Sequence, residues 1–443
     1  MTQPHKGGRL ALLVGGGPAP GINGVISSVT IEAIDYHNME VIGILDGFKW
    51  LAEGDARHVR PLEINDVKAI YPRGGSILGT SRVNPAKSPE KMENVLRVLR
   101  QLGVTNLVTI GGDDTAFSAS QVYRHAGGSI RVAHVPKTID NDLPLPPSVP
   151  TFGFETARHH GVSIVRNLAE DARTTRRWYV VVSMGRAAGF LALGIGKAAP
   201  ATLTIIPEEF EHRPHVSLDE VCDIIIGAII KRKQMRFPYG VAILAEGLIE
   251  KIGEHGLLTA MDEGQLGRYG KLERDDHGHL RLGEIEFGRM VKDRISTLIQ
   301  ELNAPLPRDQ HLEVTIIDKD LGYELRCADP IPFDAEYTRD LGYAAVKFIT
   351  SNEAAKYGAI ISYEGGKMKP LPFHEKINPQ TGRMQPRKVN IHDEAYECAR
   401  RYMIRLERRD LTESDRLASL AETVHMTPEA FRRRFGYLVG VTD

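Results

Sequence analysis

Short apolar runs of strand length alternate along this chain with longer stretches in which apolar residues return at helical spacing. That alternation predicts a largely parallel sheet covered by helices. In the first part the predicted strands are RLALLV from Arg9, MEVIGIL from Met39, TNLVTI from Thr105 and RVAHVP from Arg131. Between them, GINGVISSVTIEAIDYH and SPEKMENVLRVLRQLG read as helices, the second opening on Ser88 with Pro89 and Glu90 behind it, a helix-start pattern. A proline-rich break, LPLPPSVP (Leu143 to Pro150), precedes a second set of strands: RWYVVVSMG from Arg177, ATLTIIPE from Ala201 and YGVAILAEG from Tyr239. Helices are predicted near Glu155–Ala169, Ala187–Ala198 and Leu218–Arg236. From Lys251 to Gly283 the chain turns polar, and LERDDHGHLRLGE reads as an exposed hairpin. Its Asp275, Asp276, His277 and His279 read first as a solvated loop and only second as metal ligands. Beyond Glu394 the chain is helical and amphipathic, and its RRRF reads as a solvated helix end.

With 443 residues the chain is too long for one core, so two α/β lobes are expected. Basic and acidic residues nearly cancel, 56 against 57, which excludes a general nucleic-acid binder, since that would show a basic excess. Three cysteines, Cys222, Cys327 and Cys398, are too scattered for a disulfide framework or a zinc site and fit a reducing cytoplasm. The N-terminal apolar stretch Leu10–Val14 runs straight into glycines. It is too short for a signal peptide, and no segment approaches the roughly 20 apolar residues of a membrane span.

Four glycine-containing turns follow predicted strands: GGGPAPG (Gly15–Gly21), GGDD (Gly111–Asp114), MGRAAG (Met184–Gly189) and AEG (Ala245–Gly247). In a doubly wound sheet such turns gather at the carboxyl ends of the strands, where ligands bind. Glycines such as Gly16, Gly17, Gly112 and Gly185 let the backbone approach an anion, and a following helix offers free N–H groups. GGGPAPG is neither a dinucleotide fingerprint nor a Walker loop. GGDD poses a puzzle, because Asp113 and Asp114 bring two carboxylates to a turn shaped for an anion.

VPKTIDNDLP (Val135–Pro144) is the most informative stretch. On an extended segment Asp140, Asp142 and Thr138 project to one side and Lys137 to the other. Carboxylates, Thr and Lys at a strand exit suit phosphoryl transfer, which needs a metal held by carboxylates, a base for the attacking hydroxyl and cations on the moving group. An Asx-rich turn before proline is the alternative; GGDD beside it favours chemistry. Arg82, Arg177, Arg186 and Arg326 offer bidentate phosphate contacts. Arg186 stands out because it follows an apolar strand and a glycine.

Taken in order, GGGPAPGIN, GGSILGTSR, GGDD, PKTIDND, MGRAAGFLA, AEG and YELR resemble the phosphofructokinase superfamily over about residues 9 to 375. The resemblance implies an α/β fold of two Rossmann-like α/β/α lobes with parallel-rich sheets, an active site in the cleft between them, and C-terminal helices. It implies a phosphoryl-donor lobe of residues 1–150 with about 326–380, a sugar-phosphate lobe of 151–325 and a helical extension of 381–443. Asp140 resembles the base that deprotonates the 1-hydroxyl of fructose 6-phosphate. Asp113 and Asp142 match the carboxylates that organise Mg²⁺, and Thr138 matches a residue against the transferred phosphoryl group. Arg186 resembles an arginine on the transition-state side, and Arg82 one that bridges the two substrates. Met184, Gly185, Glu246 and Arg326 fall at positions that hold the sugar phosphate. Arg177 matches an arginine that reaches the 6-phosphate across a subunit interface, which implies a homodimer or homotetramer. Tyr323 stands where many members have His, and Lys319 is the nearest basic residue to another expected across the interface.

ATP-using members carry GGDG, leaving room for the nucleotide's α-phosphate. Asp114 places bulk and negative charge there, which opposes ATP, and Lys137 replaces a common Gly and suits a smaller donor. The pair resembles the pyrophosphate-dependent branch. The function implied is reversible transfer from pyrophosphate to fructose 6-phosphate by a cytoplasmic enzyme with no nucleic-acid or membrane partner. An ATP-dependent phosphofructokinase and a non-catalytic sugar-phosphate-binding subunit remain open, as does acceptance of a related sugar such as sedoheptulose 7-phosphate.

Overall fold

A computed structural model describes residues 7–271, 285–378, 380 and 384–441. The hairpin expected at Leu272–Glu284, with Asp275, Asp276, His277 and His279, lies outside the described residues. The chain forms two compact units: one runs to His160 and includes Tyr323–Arg387, and the other comprises Gly161–Gly322 with the chain from Lys388 onward.

In chain order the first unit supplies strands β1 (Arg9–Val14), β2 (Glu40–Ile44), β3 (Val59–Pro61), β4 (Asn106–Gly111) and β5 (Arg131–Pro136). The second supplies β6 (Trp178–Ser183), β7 (Leu203–Ile205), β8 (Gly240–Ala245) and β9 (Ile316–Leu321). After its return the chain adds β10 (Ala359–Glu364) and β11 (Lys367–Pro372) to the first unit.

The first sheet has the order β11-β10-β5-β4-β1-β2-β3. Its five inner strands run parallel, with β3 and β11 antiparallel at the edges. Leu10 to Val14 of central β1 are fully buried, which is why that strand reads as an unbroken apolar run instead of an alternation. From β1 the chain goes to β2 on one side, and β4 and β5 lie on the other. The carboxyl ends of β1 and β4 are therefore a topological switch point, where a doubly wound sheet opens a crevice.

The second sheet, β7-β8-β6-β9, is parallel throughout. Its core continues into the C-terminal helices Glu394–Tyr402, Ser414–Thr423 and Pro428–Phe435: Ala399, Leu417, Leu420, Phe431 and Phe435 are buried with Trp178, Val180 and Ile226. Arg405 is buried and paired with Glu209 at 2.6 Å. The region assigned by sequence to a separate extension from 381 is thus part of the second unit from Lys388 onward. The proline-rich break is likewise no boundary. It turns within the first unit, where the Tyr337 hydroxyl donates to Pro150 O at 3.1 Å, and the division falls inside the helix Phe154–Thr175. Among the described residues no helix is long and apolar enough to cross a membrane.

Candidate active site

In the first unit the functional side chains collect where β1, β4 and β5 end. Gly15 N donates to Ile110 O at 2.8 Å and Gly16 N to Ser81 O at 2.8 Å, so the first glycine turn is tied both to β4 and to the segment carrying Arg82. A side chain at Gly15 or Gly111 would collide with Thr115, which is buried across the two strand ends. Gly16, at φ 81°, adopts a left-handed conformation, and a Cβ there would stand 3.4 Å from Lys137 Nζ. Gly17 faces Arg326, whose Cζ would lie 3.5 Å from a Cβ.

Lys137 is buried, and its ammonium donates to Gly17 O. Loss of water, and after it the charge of Arg326, lowers its pKa to about 8; Asp140 and Asp142 pull the other way, and Arg82 adds to the fall. The structure therefore gathers Gly16, Gly17, Arg82, Lys137, Asp140, Asp142 and Arg326 into one charged cluster. Tyr323 is largely exposed, with the Arg326 guanidinium 4.9 Å from its ring centre.

Gly112 precedes the helix Asp113–Ala126, and no side chain caps its first turn. Both acids of GGDD stand in that turn, where the helix dipole favours negative charge. Solvent reaches Asp113, yet protein crowding around its carboxylate raises its pKa, and the charge of Asp114 adds to this. Burial raises Asp142 first, and the charge of Asp113 raises it further. The charge of Asp113 is thus close enough to disfavour ionisation of Asp142. Among the described residues no group of three or more His, Cys, Asp or Glu encloses a metal. The donor set fits a hard cation that keeps waters and shares substrate phosphates, which is the habit of Mg²⁺.

The extended reading of Thr138 to Asp142 needs correction. Strand β5 stops at Pro136, and Asn141 adopts φ 57°, so period-two alternation does not set the direction of these side chains. The turn is instead held by a bond of its own and by residues outside it. Asp140 N donates to Thr138 Oγ1 at 3.0 Å, and Thr151 Oγ1 donates to Thr138 O at 2.8 Å. Arg387 binds Asn141 O at 2.7 Å, Pro146 O at 3.0 Å, Val149 O at 2.9 Å and the Asn141 side chain. Sequence reasoning missed Arg387, because nothing in MQPRKVN distinguishes it from a loop arginine.

His134 was missed as well. It is fully buried on β5, its Nε2 3.0 Å from Gly111 O and its Nδ1 2.8 Å from Thr109 Oγ1. A carbonyl only accepts, so Nε2 carries the proton and Thr109 donates to Nδ1. Burial lowers its pKa to about 3. The neutral ring ties β5 to the start of the GGDD turn.

In the second unit Met184, Gly185, Arg186 and Glu246 meet at the ends of β6 and β8. Met184 N donates to Leu321 O at 2.9 Å, Glu246 N to Ser183 O at 2.9 Å and Gly247 N to Gly185 O at 3.1 Å. Gly185 N reaches Glu246 Oε2 at 3.2 Å. The exposed Arg186 pairs with Glu250 at 2.7 Å. The far end of that loop is held by Glu208, buried, whose carboxylate accepts from Gly189 N at 2.9 Å and Val389 N at 3.1 Å. Arg177 is not brought to this group: it precedes β6, at the opposite end of a six-residue strand from Met184, roughly 20 Å away at strand rise. Lys319 is exposed on β9, opposite Val181.

The family model for phosphofructokinase matches residues 9–349. A pyrophosphate–fructose 6-phosphate 1-phosphotransferase of Thermotoga maritima is 52% identical over 427 residues, covering 96% of this chain and 98% of that protein. One of the same name from Naegleria fowleri is 46% identical, covering 99% of this chain and 98% of its own length. Among solved structures, the pyrophosphate-dependent phosphofructokinase of Marinobacter aquaeolei shares the fold at a TM-score of 0.61 with 16% identity, over 94% of this chain and 91% of that one.

The neutral state of His134 has a measurable consequence. Its folded pKa of about 3 lies below the ordinary 6.5, so below pH 6.5 the unfolded chain takes a proton that the folded one refuses. Stability is then lost as pH falls. Relative to His134→Leu, which cannot titrate, the wild type should lose about 1.4 kcal/mol per pH unit below 6.5. Urea unfolding at pH 7.5 and pH 5.0 measures this, and a difference between the two proteins that ignores pH would contradict the assignment.

Proposed function

The chain belongs to the phosphofructokinase family, and from that premise we infer its reaction and the part each residue plays. It is an enzyme that transfers a phosphoryl group from pyrophosphate to the 1-hydroxyl of fructose 6-phosphate, giving fructose 1,6-bisphosphate and phosphate. The observation that carries the donor assignment is the cation cluster around Gly16 and Gly17, where buried Lys137 donates to Gly17 O and Arg326 lies beside Gly17. Pyrophosphate is small and highly charged, and a buried ammonium flanked by Arg82 and Arg326 supplies the charge it requires. The two bonds exchanged differ modestly in transfer potential, so the reaction runs in both directions, serving glycolysis and gluconeogenesis.

Asp140 takes the proton from the 1-hydroxyl as that oxygen attacks the phosphorus. Thr138 stands against the transferred group, and Arg186 stabilises charge on it as the bond to the leaving phosphate lengthens. Asp113 and Asp142 would hold Mg²⁺, whose chemistry is to neutralise pyrophosphate oxygens. Gly16, Gly17 and Gly112, which carry no side chain, let the donor approach the backbone, and Asp114 opposes an α-phosphate. Met184, Gly185, Glu246, Tyr323 and Arg326 orient the sugar phosphate, with Arg326 shared by the donor because it lies against Gly17. Arg177, remote from Arg186 along β6, serves the sugar 6-phosphate of a neighbouring subunit in a cytoplasmic homodimer or homotetramer.

Replacing Asp140 with Ser should lower kcat by about 10²- to 10⁴-fold, with little change in KM or melting temperature. Unchanged turnover would remove it as the base. Lys137 predicts a pH effect: its charge is present below a pKa of about 8 and lost above it, so kcat/KM for pyrophosphate should fall as pH rises through 8. Lys137→Arg stays charged at all working pH and should move that fall upward. If both proteins share one profile, the titrating group is not Lys137.

A further inference from the structure

The donor-opposing acid does not stand alone. Asn84, two residues past Arg82, donates its side-chain amide to Asp114 Oδ1 at 3.0 Å. The other end of the same amide is doubly engaged: Asn84 Oδ1 accepts from Ser118 Oγ at 2.9 Å and from Ala86 N at 3.0 Å. A backbone N–H can only donate, so the oxygen must face Ala86 and the NH₂ must face Asp114. The orientation of the amide is therefore settled by chemistry.

Its position is equally restricted. Asn84 caps the short helix Pro85–Lys87, which begins on a proline. Just before it, Ser81 is bridged to Gly15 at the end of β1. Ser118 is buried, and it lies one turn beyond Asp114 on the same helix. The Asp114 carboxylate is thus held from one side by a group fixed at both ends. An untethered aspartate on an exposed helix start would turn between rotamers, and a wall that turns aside excludes little.

We propose that Asn84, buttressed by Ser118, is a specificity-determining positioning residue that fixes the Asp114 carboxylate where it discriminates pyrophosphate from a nucleoside triphosphate. The inference rests on the reading of Asp114 as the group that opposes an α-phosphate. Asn84 takes no part in the chemistry; it acts through the orientation of a neighbour, and its effect belongs to donor choice and not to turnover with the preferred donor.

The test is the ratio of kcat/KM for pyrophosphate to that for ATP, at fixed fructose 6-phosphate and Mg²⁺. Asn84→Ser keeps an acceptor for Ala86 N but cannot reach Asp114, so it preserves the helix cap. It should lower the ratio on the order of tenfold, the equivalent of one hydrogen bond to a charged group, with melting temperature and pyrophosphate kcat near the wild type. Ser118→Ala should move the ratio in the same direction by less. Asp114→Gly should lower it further, and Asn84→Ser added to Asp114→Gly should change nothing more. If Asp114→Gly shifts the ratio and Asn84→Ser does not, the inference fails and the reading of Asp114 stands. An equal effect of Asn84→Ser in both backgrounds also overturns it, because Asn84 would then act elsewhere. A ratio indifferent to Asp114→Gly sinks the reading and the inference together.

Discussion

A lysine ammonium enclosed at the ends of β1, β4 and β5 is the constraint around which the first unit is arranged. Lys137 is buried, and burial alone disfavours its charge. Its charged form is kept within reach of neutral pH by Asp140 and Asp142, while Arg82 and Arg326 oppose it. Neither set of charges is relaxed by itself: Asp113 raises the pKa of Asp142 as the arginines lower that of Lys137. Under the proposed function, a bound anion together with a cation would complete this arrangement of crowded like charges. On our reading these are pyrophosphate and Mg²⁺.

Holding these charges in place falls to residues with no chemistry of their own. Thr115 fills the space that Gly15 and Gly111 leave open. His134 joins β5 to Gly111 O as a neutral donor, so it adds no charge to a crowded site. Arg387 spans four groups of the turn that carries Asp140 and Asp142. In the second unit, Glu208 plays the corresponding part for the Arg186 loop, tying Gly189 to Val389. His134, Arg387 and Glu208 each join segments through hydrogen bonds to backbone atoms, so the path of the main chain is what they fix.

That is also why the candidate site was easier to read from the sequence than its scaffold. Glycine turns after apolar runs, paired acids and a lysine at a strand exit are local signals, and they led to both groups of residues that the structure assembles. Strands β1, β4 and β5 were legible because they are buried along nearly their whole length and read as apolar runs. Strand β9 was not: its central Asp318, Lys319 and Asp320 suit a sheet edge and conceal it. The hairpin of β10 and β11 escaped too, although Gly365 and Gly366, both at positive φ, form the two-residue turn such hairpins favour. Asn141 defeated the period-two argument because its backbone is left-handed, in a turn bound by Arg387 from far along the chain. The C-terminal helices looked like an appendage because amphipathicity shows that a face is buried, not against what.

The central claim is the identity of the donor. Fructose 1,6-bisphosphate formation from fructose 6-phosphate and Mg²⁺ should be followed with pyrophosphate and with ATP in parallel. Product with pyrophosphate and essentially none with ATP is the predicted result. Product with ATP alone would contradict the account, leaving the family in place and removing the basis for the roles given to Lys137 and Asp114.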